Sequence, residues 1–110
     1  MSNIWMSESV TEGHPDKVAD LISDTVLDLC LEQDPYSRVA CETLVKEEHV
    51  VIAGEITTKA DLSELDKRVR RAIEGIGYTP DVSPVFNSRD LKIMQLLSNQ
   101  YPNIGDMVDI

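Results

Sequence analysis

The chain has 110 residues, enough for one domain around a single hydrophobic core. Its twenty acidic and ten basic residues give a net charge of −10, which argues against nucleic-acid and anionic-membrane partners, because both require clustered basic groups. Two cysteines make no disulfide framework, no apolar run is long enough to span a bilayer, and the N-terminus lacks secretory-signal features. We therefore expect a cytoplasmic protein.

The first predicted elements are a short strand over Ile4–Val10 and a helix from Pro15 to about Gln33. Proline suits the first helical turn, and apolar residues recur at three- and four-residue steps from residue 18 to residue 30. Asp34 ends the helix because a residue before proline avoids the helical region. The acidic side chains that recur every four residues are best interpreted as a solvated stripe: Asp20, Asp24, Asp28 and Glu32.

Two strands follow, over Arg38–Lys46 and Val50–Thr58, since both segments are rich in β-branched residues. The polar tract at 46–49 suits a hairpin between them. A second helix is predicted over Asp61–Gly77, with Gly77 as its C-cap. Two i,i+4 ion pairs are expected to support it: Glu64 with Arg68, and Asp66 with Arg70.

Residues 79–90 contain two prolines and an Asn-Ser pair, which predicts a loop. By periodicity alone, Leu91–Ser98 is either a short helix or a buried strand. The order is strand, helix, strand, strand, helix and a further strand. It predicts an α+β fold in which helices cover one face of a mixed β-sheet.

Chemistry-bearing side chains cluster where the first helix begins: Glu8, Glu12, His14, Asp16 and Lys17. A helix N-terminus favours phosphate through its free N–H groups and the positive end of its dipole. His14 can donate to a phosphate oxygen, and Asp16 can hold Mg²⁺ together with substrate phosphates. In the alternative, purely structural interpretation, Asp16 complements the helix dipole and His14 is a polar cap. The P-loop pattern is absent from this segment.

A second candidate site consists of Glu42 and Glu55, one in each strand of the predicted hairpin. With a turn at Glu48-His49, the two glutamates lie directly opposite each other, and opposed like charges destabilise a sheet. A bound cation or a substrate ammonium group reverses that cost. Alternatively, the register differs by one residue and one glutamate faces water.

The thiols of Cys30 and Cys41 lie in apolar stretches and are expected to be small buried groups. A nucleophilic role requires a neighbouring base. His49 lies in the predicted turn, far along the chain from either cysteine, so such a role is not expected.

Residues 7–17 read Ser-Glu-Ser-Val-Thr-Glu-Gly-His-Pro-Asp-Lys, which closely resembles the opening motif of S-adenosylmethionine synthetases. The similarity covers most of residues 5–78. Its further segments are Val18-Ala19-Asp20, Ile22-Ser23-Asp24, Glu32-Gln33-Asp34-Pro35, Arg38-Val39-Ala40-Cys41-Glu42-Thr43, Gly54-Glu55-Ile56-Thr57-Thr58 and Ile76-Gly77-Tyr78. By this resemblance Leu91–Ser98 is a strand.

The resemblance implies a transferase that uses ATP and L-methionine, with Mg²⁺ and K⁺ as cofactors. Methionine's sulfur attacks the C5′ carbon of ATP and expels triphosphate, which is hydrolysed to phosphate and pyrophosphate. The active site lies between two subunits of a homodimer or a dimer of dimers. The implied roles are ATP-phosphate contact and catalysis for His14, catalysis for Lys17, Mg²⁺ binding for Asp16, K⁺ binding for Glu42, methionine binding for Glu55 and Gln100, and support for Glu8.

The resemblance also implies the domain organisation. Residues 1–99 correspond to the N-terminal one of three similar α/β domains. Gln100-Tyr101-Pro102-Asn103-Ile104 is similar to the family's Gln-Ser-Pro-x-Ile segment, so residues 100–110 begin a gating loop that is expected to be disordered. Because family members are about three times as long, we expect this chain alone to be inactive. The alternative is a fragment that folds and binds Mg-triphosphate or methionine weakly, without turnover.

Overall fold

A computed structural model describes residues 15–101. Two helices and three strands follow in chain order: α1 (Pro15–Gln33), β1 (Arg38–Lys46), β2 (His49–Thr57), α2 (Leu65–Gly75) and β3 (Lys92–Asn99). The predicted strand over Ile4–Val10 lies outside the described residues, as does the predicted gating loop from Pro102 onward.

The three strands form one mixed sheet in the order β1-β2-β3. β1 and β2 are an antiparallel hairpin, whereas β2 and β3 run parallel. A parallel pair needs a long crossover, and the segment containing α2 supplies it. The predicted α+β class is confirmed, and the segment around residues 91–98 is a strand.

Both helices pack on the same face of the sheet. The core between them is aliphatic because alternate strand residues and one apolar stripe of each helix point inward. Its buried members are Val18, Ile22, Val26, Leu29, Cys30, Val45, Val50, Ile52, Leu65, Val69, Ile73 and Leu91. Neither helix within residues 15–101 combines the length and apolar character needed to cross a membrane.

The second helix begins at Leu65, four residues later than Asp61, where the sequence placed its start. The Asp61 carboxylate accepts the N–H of Ser63 at 2.9 Å, and the Gln33 amide bonds both the N–H and the C=O of Asp61. These side-chain bonds compete with helical pairing, which explains the later start.

Gly77 terminates α2 as a left-handed glycine, but one position later than predicted: the helix ends at Gly75 and its C-cap is Ile76. Gly77 has φ +107°, its N–H donates to the Glu74 carbonyl at 2.9 Å, and the Tyr78 N–H donates to the Ile73 carbonyl at 3.2 Å. These two bonds define a Schellman ending, which requires a left-handed residue where Gly77 stands.

One of the two predicted ion pairs within α2 is present. Arg70 contacts Asp66 at 2.6 Å, as expected. The pair of Glu64 with Arg68 was wrong, because Arg68 instead reaches Glu32 of α1 at 2.6 Å. This pair joins the two helices and lowers the pKa of the Glu32 carboxyl through the hydrogen bond from the guanidinium.

Residues 79–90 form an irregular loop, as predicted, and a buried side chain organises it. Asn87 accepts the N–H groups of Arg89 and Asp90 and donates to the Ser83 carbonyl at 2.8 Å. The ring of Tyr78 meets that of Phe86 edge-on, with centroids 5.2 Å apart. These contacts therefore fix the conformation of the loop that leads into β3.

Candidate functional site

The sheet has a second face that no described helix covers. We call it the open face. Its large apolar side chains are about half exposed, at 56% for Leu44, 55% for Met94 and 56% for Leu96. By strand alternation and the observed register it is made of Ala40, Glu42, Leu44, Val51, Ala53, Glu55, Met94, Leu96 and Ser98.

Glu42 and Glu55 are both exposed on the open face, but they do not oppose each other. Glu42 pairs with Ala53, and Glu55 pairs with Ala40, so the predicted register was wrong. The cause is the turn: Glu47 adopts a left-handed φ of 55°, and Lys46 pairs directly with His49 around the two-residue turn Glu47-Glu48. The alternative of a one-residue shift is not observed either, because both carboxylates keep the same face as diagonal neighbours.

The structure brings Glu55 and Gln100 together at the ends of two parallel strands. Glu55 lies opposite Ser98 in the β2–β3 register. Two residues further on, the Gln100 N–H donates to the Ile56 carbonyl at 2.7 Å. Within residues 15–101 the side chains of Glu55 and Gln100 form no hydrogen bond or ion pair, so both are available to a ligand.

Gly54 allows β1 and β2 to approach closely beside Glu55. Its φ is +143°, and a Cβ atom there would lie 2.2 Å from the Ala40 carbonyl oxygen and 2.7 Å from the Cys41 Cα. Only glycine fits this combination of conformation and contact. The position of Glu55 on the open face thus depends on the residue before it.

A hydrogen-bonded network that the sequence analysis missed lies behind this end of the sheet. The buried Asp34 carboxylate accepts the N–H groups of Tyr36 at 3.1 Å and Lys59 at 2.9 Å. The bond from Lys59 is the main cause that lowers the pKa of Asp34 below its ordinary value. Ser37 Oγ bonds Thr58 Oγ1 at 2.6 Å. In the sequence, the Asp34-Pro35 pair after α1 is the feature that indicates such a network, since Asp side chains readily form hydrogen bonds to nearby backbone groups.

The start of α1 and the Glu55 carboxylate lie on opposite faces of the sheet, because α1 packs on the covered face and Glu55 is on the open face. Lys17 is exposed in the first turn of α1, while Cys30, near the end of that helix, contacts Ser37 beside Thr58. At 1.5 Å per residue, Lys17 is roughly 20 Å from that end. The helix contains Asp16, but the described side chains begin after it, and Glu8 and His14 lie outside the described residues. Residues 17–101 therefore do not unite the two halves of the predicted site.

Glu42 is the one predicted metal ligand whose side chain the structure describes. Within residues 15–101 there is no group of three or more His, Cys, Asp or Glu residues that could hold a metal ion. An exposed carboxylate suits one oxygen ligand of a hard cation, so Glu42 fits as a single donor in a shared site.

Both cysteines are free thiols on the helix-covered side of the sheet. Cys30 is buried and Cys41 is half-buried. Burial is the main cause that raises the pKa of each thiol, so neither is an activated nucleophile.

Residues 2–102 match the family model of the S-adenosylmethionine synthetase N-terminal domain. The chain therefore belongs to the S-adenosylmethionine synthetase family. Within that family it corresponds to the N-terminal domain, in agreement with the motifs from Ser7 to Tyr78.

Curated relatives extend the match. The chain is 54% identical over 108 residues to an S-adenosylmethionine synthase of Akkermansia muciniphila, covering 97% of this chain and 27% of the relative. It is 53% identical over 100 residues to that of Brachyspira hyodysenteriae, covering 91% and 25%. It is 52% identical over 105 residues to that of Oleidesulfovibrio alaskensis, covering 96% and 26%. The chain thus spans about a quarter of the length of these relatives, so they are longer than the expected three times its length.

Proposed function

We propose that this chain is the N-terminal part of a cytoplasmic methionine adenosyltransferase, which forms S-adenosylmethionine from ATP and L-methionine and releases phosphate and pyrophosphate. The observation that carries the proposal is the placement of Glu55 and Gln100 near the carboxyl ends of two neighbouring parallel strands, a common place for ligand binding. Family membership supplies the reaction, since the relatives are named S-adenosylmethionine synthases.

Glu55 and Gln100 would bind methionine. The Glu55 carboxylate is exposed and unpaired within residues 15–101, so a substrate ammonium group can bind it without displacing another cation. The Gln100 amide offers a donor and an acceptor beside it. Together they would hold the amino-acid end of methionine and leave its sulfur free to react.

Residues at the start of α1 would bind the triphosphate of ATP. His14 would donate to a phosphate oxygen and stabilise the leaving group as its charge grows, with Lys17 assisting and Glu8 in support. Asp16 would hold Mg²⁺, and Glu42 would give one ligand to K⁺. When bound, these cations supply positive charge against the triphosphate and order the site.

The proposed reaction is a displacement at carbon. A lone pair of the methionine sulfur forms the bond to C5′ while the C5′–O bond breaks. Its electron pair leaves with triphosphate, and the product is a sulfonium. Residues that bind the triphosphate more strongly as it departs lower the barrier, because that interaction grows towards the transition state.

Completing the site requires more than residues 15–101. Lys17 belongs to α1 on the helix-covered side of the sheet, whereas Glu55 is on the open face. We propose that the site lies between two copies in a homodimer or a dimer of dimers, with the open face as the contact. The half-exposed Leu44, Met94 and Leu96 support this, because apolar patches on a sheet mark association surfaces.

The test is made in a full-length synthetase that carries this sequence as its N-terminal domain. Glu55→Gln is expected to raise the KM for methionine at least about tenfold, the loss of one charge-assisted bond. His14→Asn is expected to slow triphosphate departure more than it weakens methionine binding. Glu74→Gln, at an exposed glutamate of α2, is the control. Unchanged methionine KM in Glu55→Gln would contradict the assignment.

A second candidate function is binding without turnover by the 110-residue chain itself. It is favoured by the exposed Glu55 carboxylate, which is unpaired within residues 15–101 and can bind a ligand ammonium group by itself. The chain would be titrated with methionine and with Mg-ATP by calorimetry, and assayed for product by mass spectrometry with Mg²⁺ and K⁺ present. Binding without product supports this candidate, whereas product from the chain alone excludes it.

A further inference from the structure

The pairing of β3 with β2 continues past the last residue of each strand through a side chain. Asn99 Oδ1 accepts the Thr58 N–H at 3.2 Å, and Asn99 Nδ2 donates to the Thr58 carbonyl at 3.0 Å. These two bonds reproduce the donor-acceptor pair that a backbone peptide makes in a sheet. The side-chain amide therefore replaces the next step of the ladder, where the backbone itself turns away.

The same amide fixes the chain on the far side of Gln100. Asn99 Oδ1 also accepts the Tyr101 N–H at 3.0 Å, while the Gln100 N–H donates to the Ile56 carbonyl at 2.7 Å. Both N–H groups that flank the Gln100 Cα are thus hydrogen-bonded, one directly to β2 and the other through Asn99. A residue held on both sides has little freedom of φ and ψ.

Thr58, whose backbone is the partner of Asn99 in both bonds, is itself firmly held. Thr58 is 1% exposed, and its hydroxyl bonds Ser37 Oγ at 2.6 Å and the Ala60 N–H at 3.0 Å. The next residue, Lys59, donates its N–H to the buried Asp34 carboxylate. Asn99 is therefore bonded to a rigid part of the domain, because Thr58 is firmly held and lies only three residues after Glu55 of β2.

We propose that Asn99 is a positioning residue, which acts through Gln100 by holding it beside Glu55. The inference rests on the proposed methionine-binding role of that pair. Asn99 needs no contact with substrate, because its three hydrogen bonds are all made to backbone. It pre-organises the methionine end of the site, and part of the ordering cost is met before the substrate binds.

The test is steady-state kinetics of Asn99→Ala in a full-length synthetase that carries this domain. The expected result is a methionine KM raised about tenfold, the factor that corresponds to one or two net hydrogen bonds, with the KM for ATP within about twofold. Asn99→Asp keeps the acceptor for Thr58 and Tyr101 but sets a carboxylate oxygen against the Thr58 carbonyl. Its methionine KM is therefore expected to rise at least as much as that of Asn99→Ala.

Gln33→Ala is the matched control. Gln33 Oε1 accepts the Asp61 N–H at 2.9 Å, and its Nε2 donates to the Asp61 carbonyl at 3.0 Å, which is the same bridge made elsewhere. Removing it is expected to lower stability as much as Asn99→Ala does and to leave the methionine KM unchanged. If both variants raise that KM equally, the effect is general destabilisation and the inference is wrong.

A double variant separates the inference from the proposed function. If Asn99 acts through Gln100, then Asn99→Ala adds nothing to the methionine KM of Gln100→Ala, whereas independent roles multiply. A multiplied effect overturns the inference, as does a normal KM in Asn99→Ala while Gln100→Ala is impaired. Normal methionine KM values in both Gln100→Ala and Glu55→Gln would instead refute the methionine site itself.

Discussion

Replacing Gly54 by alanine tests whether the close approach of β1 and β2 is needed for the fold. The added Cβ would lie 2.2 Å from the Ala40 carbonyl oxygen and 2.7 Å from the Cys41 Cα, both of them backbone atoms. Backbone cannot rotate away as a flexible side chain does, so the two strands must separate. Because Glu55 follows directly, its carboxylate would move with them.

Two costs combine in Gly54→Ala. Holding alanine at a φ of +143° costs about 1–3 kcal/mol of backbone strain. Forcing the strands apart costs about 1–3 kcal/mol more, as in an overpacked core. We therefore expect a loss of about 4 kcal/mol in the free energy of unfolding, which lowers Tm by roughly 15–30 °C in a domain of this size.

Alanine variants at two other glycines distinguish the cost of backbone strain from the cost of the steric clash. Gly77 has φ +107° with no described atom within 4 Å of its added Cβ, so Gly77→Ala is expected to cost only about 1–2 kcal/mol of strain. Gly75 is helical and has equally open space, so Gly75→Ala is expected to stabilise by about 0.5–1 kcal/mol. Urea unfolding followed by circular dichroism measures all three. A Gly54→Ala cost no larger than that of Gly77→Ala would refute the steric argument.

Three further predictions concern association, pH and thiol reactivity. The 110-residue chain is expected to associate through the open face, and Leu96→Glu to give a monomer with unchanged circular dichroism; a wild-type monomer by light scattering at high concentration contradicts this. The folded-state pKa of Asp34 lies below its unfolded value of about 3.9, so its contribution to stability is present above about pH 4 and is lost as pH falls through the folded pKa. Urea midpoints of wild type and Asp34→Asn should therefore differ at pH 7 and converge towards pH 2, whereas a constant gap would exclude the carboxylate as the cause. Because burial raises the thiol pKa values of Cys30 and Cys41, both should alkylate slowly at pH 7.5 in the folded chain and rapidly in urea, and fast labelling of Cys30 in the folded chain would argue against its burial.

Local signals in the sequence predicted most of the secondary structure. Pro15 and Asp34-Pro35 bound the first helix at the observed residues, because proline restricts its own φ and the conformation of the residue before it. Gly77 marked the end of α2 for a similarly local reason, its left-handed conformation. Motif resemblance, confirmed by the family match, identified the domain and resolved Leu91–Ser98 as a strand, which periodicity alone left open.

Tertiary structure decided what depends on residues far apart in the chain. The hairpin turns at Glu47-Glu48, where Glu47 has a left-handed φ. This turn sets the register, so Glu42 pairs with Ala53 and not with Glu55. Arg68 bonded Glu32 of another helix because packing brought it nearer than its neighbour in sequence. The bridge from Asn99 to Thr58 joins residues 41 positions apart, and no local pattern encodes it. The sequence by itself determined the helices, the strands and the family. Which side chains share a site depends on how neighbouring strands align, and only the packed chain fixes that alignment.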